Sequence, residues 1–228
     1  MTAWYEMQKT QELLTLMQKK RISLKKVKQL LKEGANPDGI IGQQPIPLFR
    51  ATELQNRKLI FLLRQHGANP NIKDFRGKTA LFITTDINTL YALHTPLQFQ
   101  NKRLLGTDLD QLDNSSNTVL HSAIQDLSSY IQTPDSSPSS EMIEFHLSKI
   151  HLLVNLGART DIPNRNGKNA KDFLDLHFSL WKGDEYTHVY LQVCNELGAI
   201  KNPKKAKKHS YPTAQYLSSK KQLSRASS

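Results

Sequence analysis

Gly34-Ala35-Asn36-Pro37 returns as Gly67-Ala68-Asn69-Pro70 after an interval of 33 residues. Each copy closes an apolar helical run, Leu30-Leu31 in the first and Leu59 to Leu63 in the second. A fixed interval of this size marks a stacked-repeat architecture, in which one supersecondary unit is copied and no unit can bury its apolar face alone. Weaker echoes stand at Gly106-Thr107-Asp108, Gly157-Ala158-Arg159 and Gly198-Ala199. The chain therefore reads as helical pairs laid side by side, a binding scaffold before an enzyme.

Local signals within the units agree. A first helix is predicted over Glu6 to Lys20, with Met7, Leu13, Leu14, Leu16 and Met17 on a rough helical period. Ser23 can cap a second helix, Leu24 to Glu33, whose apolar Leu24, Val27, Leu30 and Leu31 fall at helical spacing before the left-handed stop at Gly34. In the next unit Ile46-Pro47-Leu48-Phe49 opens a helix and Lys58 to Leu63 forms its partner. Later openings read Asp74-Phe75-Arg76-Gly77-Lys78-Thr79-Ala80-Leu81-Phe82, then Asp113-Asn114-Ser115-Ser116-Asn117-Thr118-Val119-Leu120-His121, then Asn164-Arg165-Asn166-Gly167-Lys168-Asn169-Ala170-Lys171-Asp172. A turn, a Thr-Pro-Leu-His-like helix start, a second helix of Leu-Leu type and Gly-Ala-Asn, in that order, resemble the ankyrin repeat, over residues 20–200. The resemblance implies an all-α ankyrin-repeat solenoid of about four to five helix-turn-helix units, two of them irregular.

The departures from the period have addresses. Thr79 to Thr118 spans 39 residues and Thr118 to Asn169 spans 51, so the third and fourth units carry extra chain. Inserts are expected near 94–105, where Pro96 breaks a helical run, and near 128–141, where Thr133 to Ser140 is polar and proline-broken. The expected division is N-terminal capping helices over 1–33, repeats over 34–200 and a disordered basic tail over 201–228. In the last unit Tyr190 and Glu196 are expected to face solvent as part of a terminal cap.

Charge follows the same division. Residues 1–33 carry eight Lys/Arg against three Glu, residues 34–200 fifteen against seventeen, and residues 201–228 eight against none, so the net +11 resides at the two ends. A near-neutral body does not present a nucleic-acid surface spread over the fold, and nucleic acid is expected only through the tail. Lys19, Lys20, Arg21, Lys25, Lys26, Lys28 and Lys32 read as the polar outer side of the capping helices. The single cysteine, Cys194, has no partner for an internal disulfide, suits a reducing, cytoplasmic setting and is expected to be a core thiol. No apolar run fits a signal peptide or a membrane span, so membrane insertion is not expected.

Motifs of catalysis are missing: no His-Glu-x-x-His string, no paired cysteines and no glycine-rich phosphate loop occurs. His146 and His151 are five residues apart, which puts them on different helical faces rather than at metal-ligand spacing. Asp108, Asp110 and Asp113 precede the fourth unit and read as turn caps rather than a cation site. No catalytic residue, cofactor or metal is expected. His121 occupies the helix-opening position of the family pattern, and the resemblance implies a structural side chain bonding across the turn.

Function then falls to the surface. Ankyrin-family partners dock on turn tips and on the adjoining face of the first helices. By matching position this implies Phe75, Arg76 and Lys78 at one tip, Asn114, Ser115 and Asn117 at the next, and Arg165, Asn166 and Lys168 at the last, with Asp86, Gln125 and Asp126 along the helical wall. Phe75 is the favoured anchor, because aromatic and arginine side chains are enriched among energetic hot spots. The expected function is a protein-protein interaction scaffold, monomeric, binding a partner through its concave surface. Drifted repeats, large inserts and abundant Lys, Asn, Gln and Ser are similar to ankyrin proteins that intracellular bacteria translocate into host cells, which would place it in host cytosol as an effector. The alternative is a nuclear or nucleic-acid-associated adaptor, in which Lys204, Lys205, Lys207 and Lys208 act as an import signal.

Overall fold

Helix starts follow from the residues at their first turns. The computed structural model describes residues 2–40, 46–99, 102–104, 106–133, 139–181 and 186–199. Ser23 accepts from the Lys26 amide to open α2 (Leu24–Lys32), and Asn56 accepts from Leu59 to open α4 (Arg57–Gln65). Pro47 sits at the first turn of α3 (Pro47–Glu53), where an amide would have no partner in any case. Asp86 caps α5 (Ile87–His94), Thr118 caps α6 (Val119–Ile131), Ser139 caps α7 (Ser140–Asn155) and Asn169 caps α8 (Ala170–Phe178). Helices α1 (Thr2–Met17) and α9 (Thr187–Ala199) flank this series, so the described chain is all-α apart from one short hairpin, β1 (Leu97–Phe99) against β2 (Lys102–Leu104).

Helix stops recur with one geometry. Gly34, Gly67 and Gly157 have φ of +96°, +95° and +98°, a conformation that strains any side chain with a Cβ. Each is followed by an alanine whose amide donates at 3.0 Å to a carbonyl five residues back: Ala35 to Leu30, Ala68 to Leu63 and Ala158 to Leu153. With the glycine amides donating to Leu31, Arg64 and Val154, these are Schellman stops that satisfy carbonyls the helix would otherwise leave open. After them a side-chain ladder runs from one pair to the next. Asp38 Oδ1 accepts from the Asn69 amide at 2.7 Å, Asn71 Oδ1 from Asp108 at 2.8 Å and Asp110 Oδ1 from Arg159 at 2.9 Å. Each loop is thus pinned by the loop before it.

Residues up to Leu197 form one unit, and Gly198–Ser228 form another, of which Gly198 and Ala199 are described. In the first unit α1, α3, a 3-10 turn at Ala80–Ile83, α6 and α8 pack in succession, with α2, α4 and α5 on one side and α7 against α6. Leu13, Met17, Val27, Leu59, Ile60, Leu63, Leu93, Leu120, Ile124, Leu127, Ile150, Leu153 and Leu174 are fully or almost fully buried along this seam. Full burial of one such side chain stabilises by roughly 1.5–3 kcal/mol.

Several expectations are corrected. Thr79 opens only the 3-10 turn, and no bond from its side chain caps it. Gly106 is not a helix stop: it returns the hairpin to the end of α5, so close to the His94 carbonyl oxygen that a Cβ would collide. There Thr107 replaces the alanine, its amide donating to Leu93 O at 3.3 Å. Gly198 lies inside α9 and stops nothing. Residues 128–131, expected to lie in an insert, are the last turn of α6, and α7 starts at Ser140. Tyr190 and Glu196 do not simply face water. The Tyr190 ring stacks on Phe178 at 4.1 Å and its hydroxyl donates to Asp175 at 2.8 Å, while Glu196 pairs with His151 at 2.7 Å. Cys194 is half-buried rather than a core thiol. The tail at 201–228, including Lys204, Lys205, Lys207 and Lys208, lies outside the described residues, as do residues 134–138 of the proline-broken stretch.

Candidate interaction surface

Three turns share one construction. In each an Asx residue opens the turn, and one oxygen of its side chain accepts two later amides. Asp74 Oδ1 takes Arg76 and Lys78, Asp113 Oδ1 takes Ser115 and Asn117, and Asn164 Oδ1 takes Asn166 and Lys168. The Asx amide donates to the fifth residue's carbonyl at 2.9 Å in all three, and the fourth residue is left-handed: Gly77 at φ +74°, Ser116 at +58° and Gly167 at +70°. The side chains of residues two and three of each turn take no part in the bonds within their own turn. Phe75, Arg76, Asn114, Ser115, Arg165 and Asn166 are all exposed.

The turns also bond to one another. The Asn114 amide donates to Arg76 O at 3.0 Å and Asn114 Nδ2 to Phe75 O at 3.0 Å. Arg165 donates through its amide to Ser115 O at 3.3 Å and through Nη2 to Asn114 O at 2.8 Å, and Asn164 Nδ2 donates to Asn117 Oδ1 at 3.2 Å. The three tips therefore form one continuous ridge. Phe75 is 75% exposed, with the Arg76 guanidinium 5.1 Å from its ring centroid, and Lys78 lies over the buried Phe82 ring at 5.8 Å.

His121 holds the ridge from behind. Nε2 donates to Lys168 O at 3.0 Å, so in the neutral ring Nδ1 is the acceptor for the Thr118 amide at 3.3 Å and the Thr118 hydroxyl at 2.8 Å. Burial pushes its pKa below the ordinary histidine value, favouring this neutral form. The wall residues separate: Gln125 is exposed on α6, Asp86 spends Oδ1 on the Asn88 and Thr89 amides, and Asp126 is the counter-ion of Lys149 at 3.4 Å.

No protein-family model and no curated protein sequence matches the chain. The surface must be read from its own chemistry.

Lys149 is the functional-looking residue that sequence patterning misses. Its side chain is only 4% exposed, yet Nζ donates to Thr84 O at 3.0 Å as well as to Asp126. Thr84 follows the 3-10 turn, whose shortness leaves that carbonyl outside any helix, so a lysine from α7 fills the gap. Burial lowers the ammonium pKa, and Asp126 opposes the shift. The only available signal is a lysine placed inside the apolar run of α7, with buried Leu147 before it and buried Ile150, Leu152 and Leu153 after it.

A serine–histidine contact occurs at Ser128 Oγ and His177 Nδ1, 2.9 Å apart. Ser128 is wholly buried, and its oxygen also receives Trp181 Nε1 at 2.9 Å and Gln132 Nε2 at 2.6 Å, so an incoming carbonyl has no approach to it. Among the described residues no group of three His, Cys, Asp or Glu side chains could hold a metal ion, and no helix is long and apolar enough to cross a membrane. Asp108 and Asp110 accept from neighbouring amides in the ladder and its turns.

Proposed function

We propose that this chain is an ankyrin-type repeat scaffold that binds a partner protein through the ridge of turn tips and the adjoining first-helix face. One observation carries the reading: three turns of the same construction are bonded edge to edge, in part through the Asn114 and Arg165 side chains, while their second and third residues all remain exposed. A loop surface held this firmly loses little conformational entropy on binding, which is the benefit of preorganisation. Phe75 has no core to fill, and an exposed aromatic beside an arginine has hot-spot composition. No catalytic step is assigned; an adaptor or host-directed effector in a reducing cytoplasm fits the lone cysteine and the absence of catalytic motifs.

The test is quantitative affinity capture from cell lysates with three full-length forms: wild type, Phe75→Ala/Arg76→Glu, and Lys204→Gln/Lys205→Gln/Lys207→Gln/Lys208→Gln. Proteins retained by wild type and by the tail variant but lost by the tip variant are expected. A capture profile unchanged by the tip variant and abolished by the tail variant would move recognition to the tail and to the nucleic-acid-associated alternative.

A further inference from the structure

The ridge has an unbalanced charge. Arg76 and Lys78 on the first tip, and Arg165 and Lys168 on the third, have no carboxylate within 4.0 Å among the described residues. The acids of the turns and the nearby helices have other partners, though Asp74 and Asp113 keep their charge. Asp74 and Asp113 each give an oxygen to two amides of their own turns, Asp126 faces Lys149, Asp161 pairs with Arg159 at 2.9 Å, and Asp175 pairs with Lys171 at 3.0 Å. Asp172 accepts from the Asn169 amide at the start of α8. The four cations stand against two turn-opening carboxylates, Asp74 and Asp113, so the three tips keep an excess of positive charge, although Arg165 already gives Nη2 to Asn114 O; the outward side chains of the middle tip, Asn114 and Ser115, carry none.

We infer that the ridge takes an acidic peptide segment, an extended Asp- or Glu-bearing stretch of the partner with an apolar side chain seated against Phe75. The inference rests on the ridge being the recognition surface. Guanidinium groups bind carboxylates through paired N–H donors, and Arg76 is held over an aromatic face that an apolar side chain can share. A peptide fits better than a nucleic acid because residues 34–200 carry fifteen Lys/Arg against seventeen Asp/Glu, a near-neutral balance that offers a long polyanion no extended cationic track on the body but leaves a local cationic strip for a short acidic segment.

The experiment is selection of a random dodecapeptide display library on the immobilised full-length chain, followed by affinity measurement of the enriched peptides. The measurements use wild type, Arg76→Glu/Arg165→Glu/Lys168→Glu, and the four-lysine tail variant. The milder Arg76→Gln/Lys168→Gln pair, with a melting curve for each form, covers the case in which charge reversal disturbs the fold. The expected result is enrichment of Asp and Glu by about twofold over the input, with affinity falling about tenfold on charge reversal, partway on neutralisation, and not on tail substitution. Enriched peptides that need Phe75 and the ridge but carry no acidic excess would overturn this inference and leave the proposed function standing. Peptides indifferent to the ridge variants would overturn both. Ridge-dependent binding of a single-stranded oligonucleotide, tighter than that of any selected peptide, would overturn the choice of a peptide.

Discussion

Gly77 and Gly167 occupy the same place in their turns but not the same surroundings. A Cβ on Gly77 would run into Asn114, whose amide nitrogen is 2.8 Å from that point, whereas nothing lies within 4 Å of the equivalent point on Gly167. Both substitutions to alanine incur left-handed strain of roughly 1–2 kcal/mol. Only Gly77→Ala also displaces the next tip, so it is expected to cost at least about 1 kcal/mol more than Gly167→Ala in urea unfolding, in line with the ordinary penalty for overpacking. Equal costs would remove the edge-to-edge contact. Ser116 holds the same conformation with a Cβ present, and Ser116→Gly is expected to stabilise by up to about 1 kcal/mol, the strain released less the added entropy of the unfolded chain.

His121 sets a pH dependence at the same scale. Its folded pKa lies below the ordinary 6.5, as do those of His66, His146 and His177, all through burial. Below 6.5 the unfolded chain binds protons that the folded chain resists, so the stabilisation is complete above pH 6.5 and is lost as pH falls toward and through the folded values. Unfolding free energy measured from pH 7.5 to 5 is expected to fall. His121→Gln should be less stable at pH 7.5, by about 1–3 kcal/mol for buried partners left unpaired, yet fall less steeply. An unchanged slope would contradict the neutral-ring assignment.

At the scale of elements, what could be read from sequence was what local chemistry decides. Ser23 caps where a side-chain oxygen stands beside an apolar run, and Gly34 and Gly67 stop helices where a left-handed backbone would strain most other residues. The third unit was not legible. Thr79-Ala80-Leu81-Phe82 resembles the other helix openings, but its continuation Ile83-Thr84-Thr85-Asp86 is β-branched and ends on a strong cap for the next helix, so only a 3-10 turn forms. Lys149 then fills a need that exists only in three dimensions, 65 residues from the carbonyl it reaches. Lys149→Met keeps the buried stem and removes the donor. It is expected to destabilise by about 1–2 kcal/mol in denaturant unfolding, the cost of an unsatisfied buried carbonyl; a stabilised variant would mean that Thr84 O finds another donor.

For the whole molecule, the period of 33 pointed to stacked helical pairs, and Gly34, Gly67 and Gly157 do share one conformation. What the sequence could not display was how neighbouring loops are joined, because Asp38, Asn71 and Asp110 reach amides 31, 37 and 49 residues away and inserts of different length hide their equivalence. The tips were legible as turns but not as a ridge, since Asn114 and Arg165 read as ordinary polar turn residues until their bonds to the preceding tip are seen. The most direct measurement of the central claim, that these loops are one preorganised surface, is amide hydrogen exchange of the free full-length chain at single-residue resolution. The amides of Asn69, Asp108 and Arg159 in the ladder and of Asn114 and Arg165 in the ridge are expected to be protected by at least about 3 kcal/mol although they lie in loops. Exchange of these five amides at the rate of an unstructured peptide would contradict it.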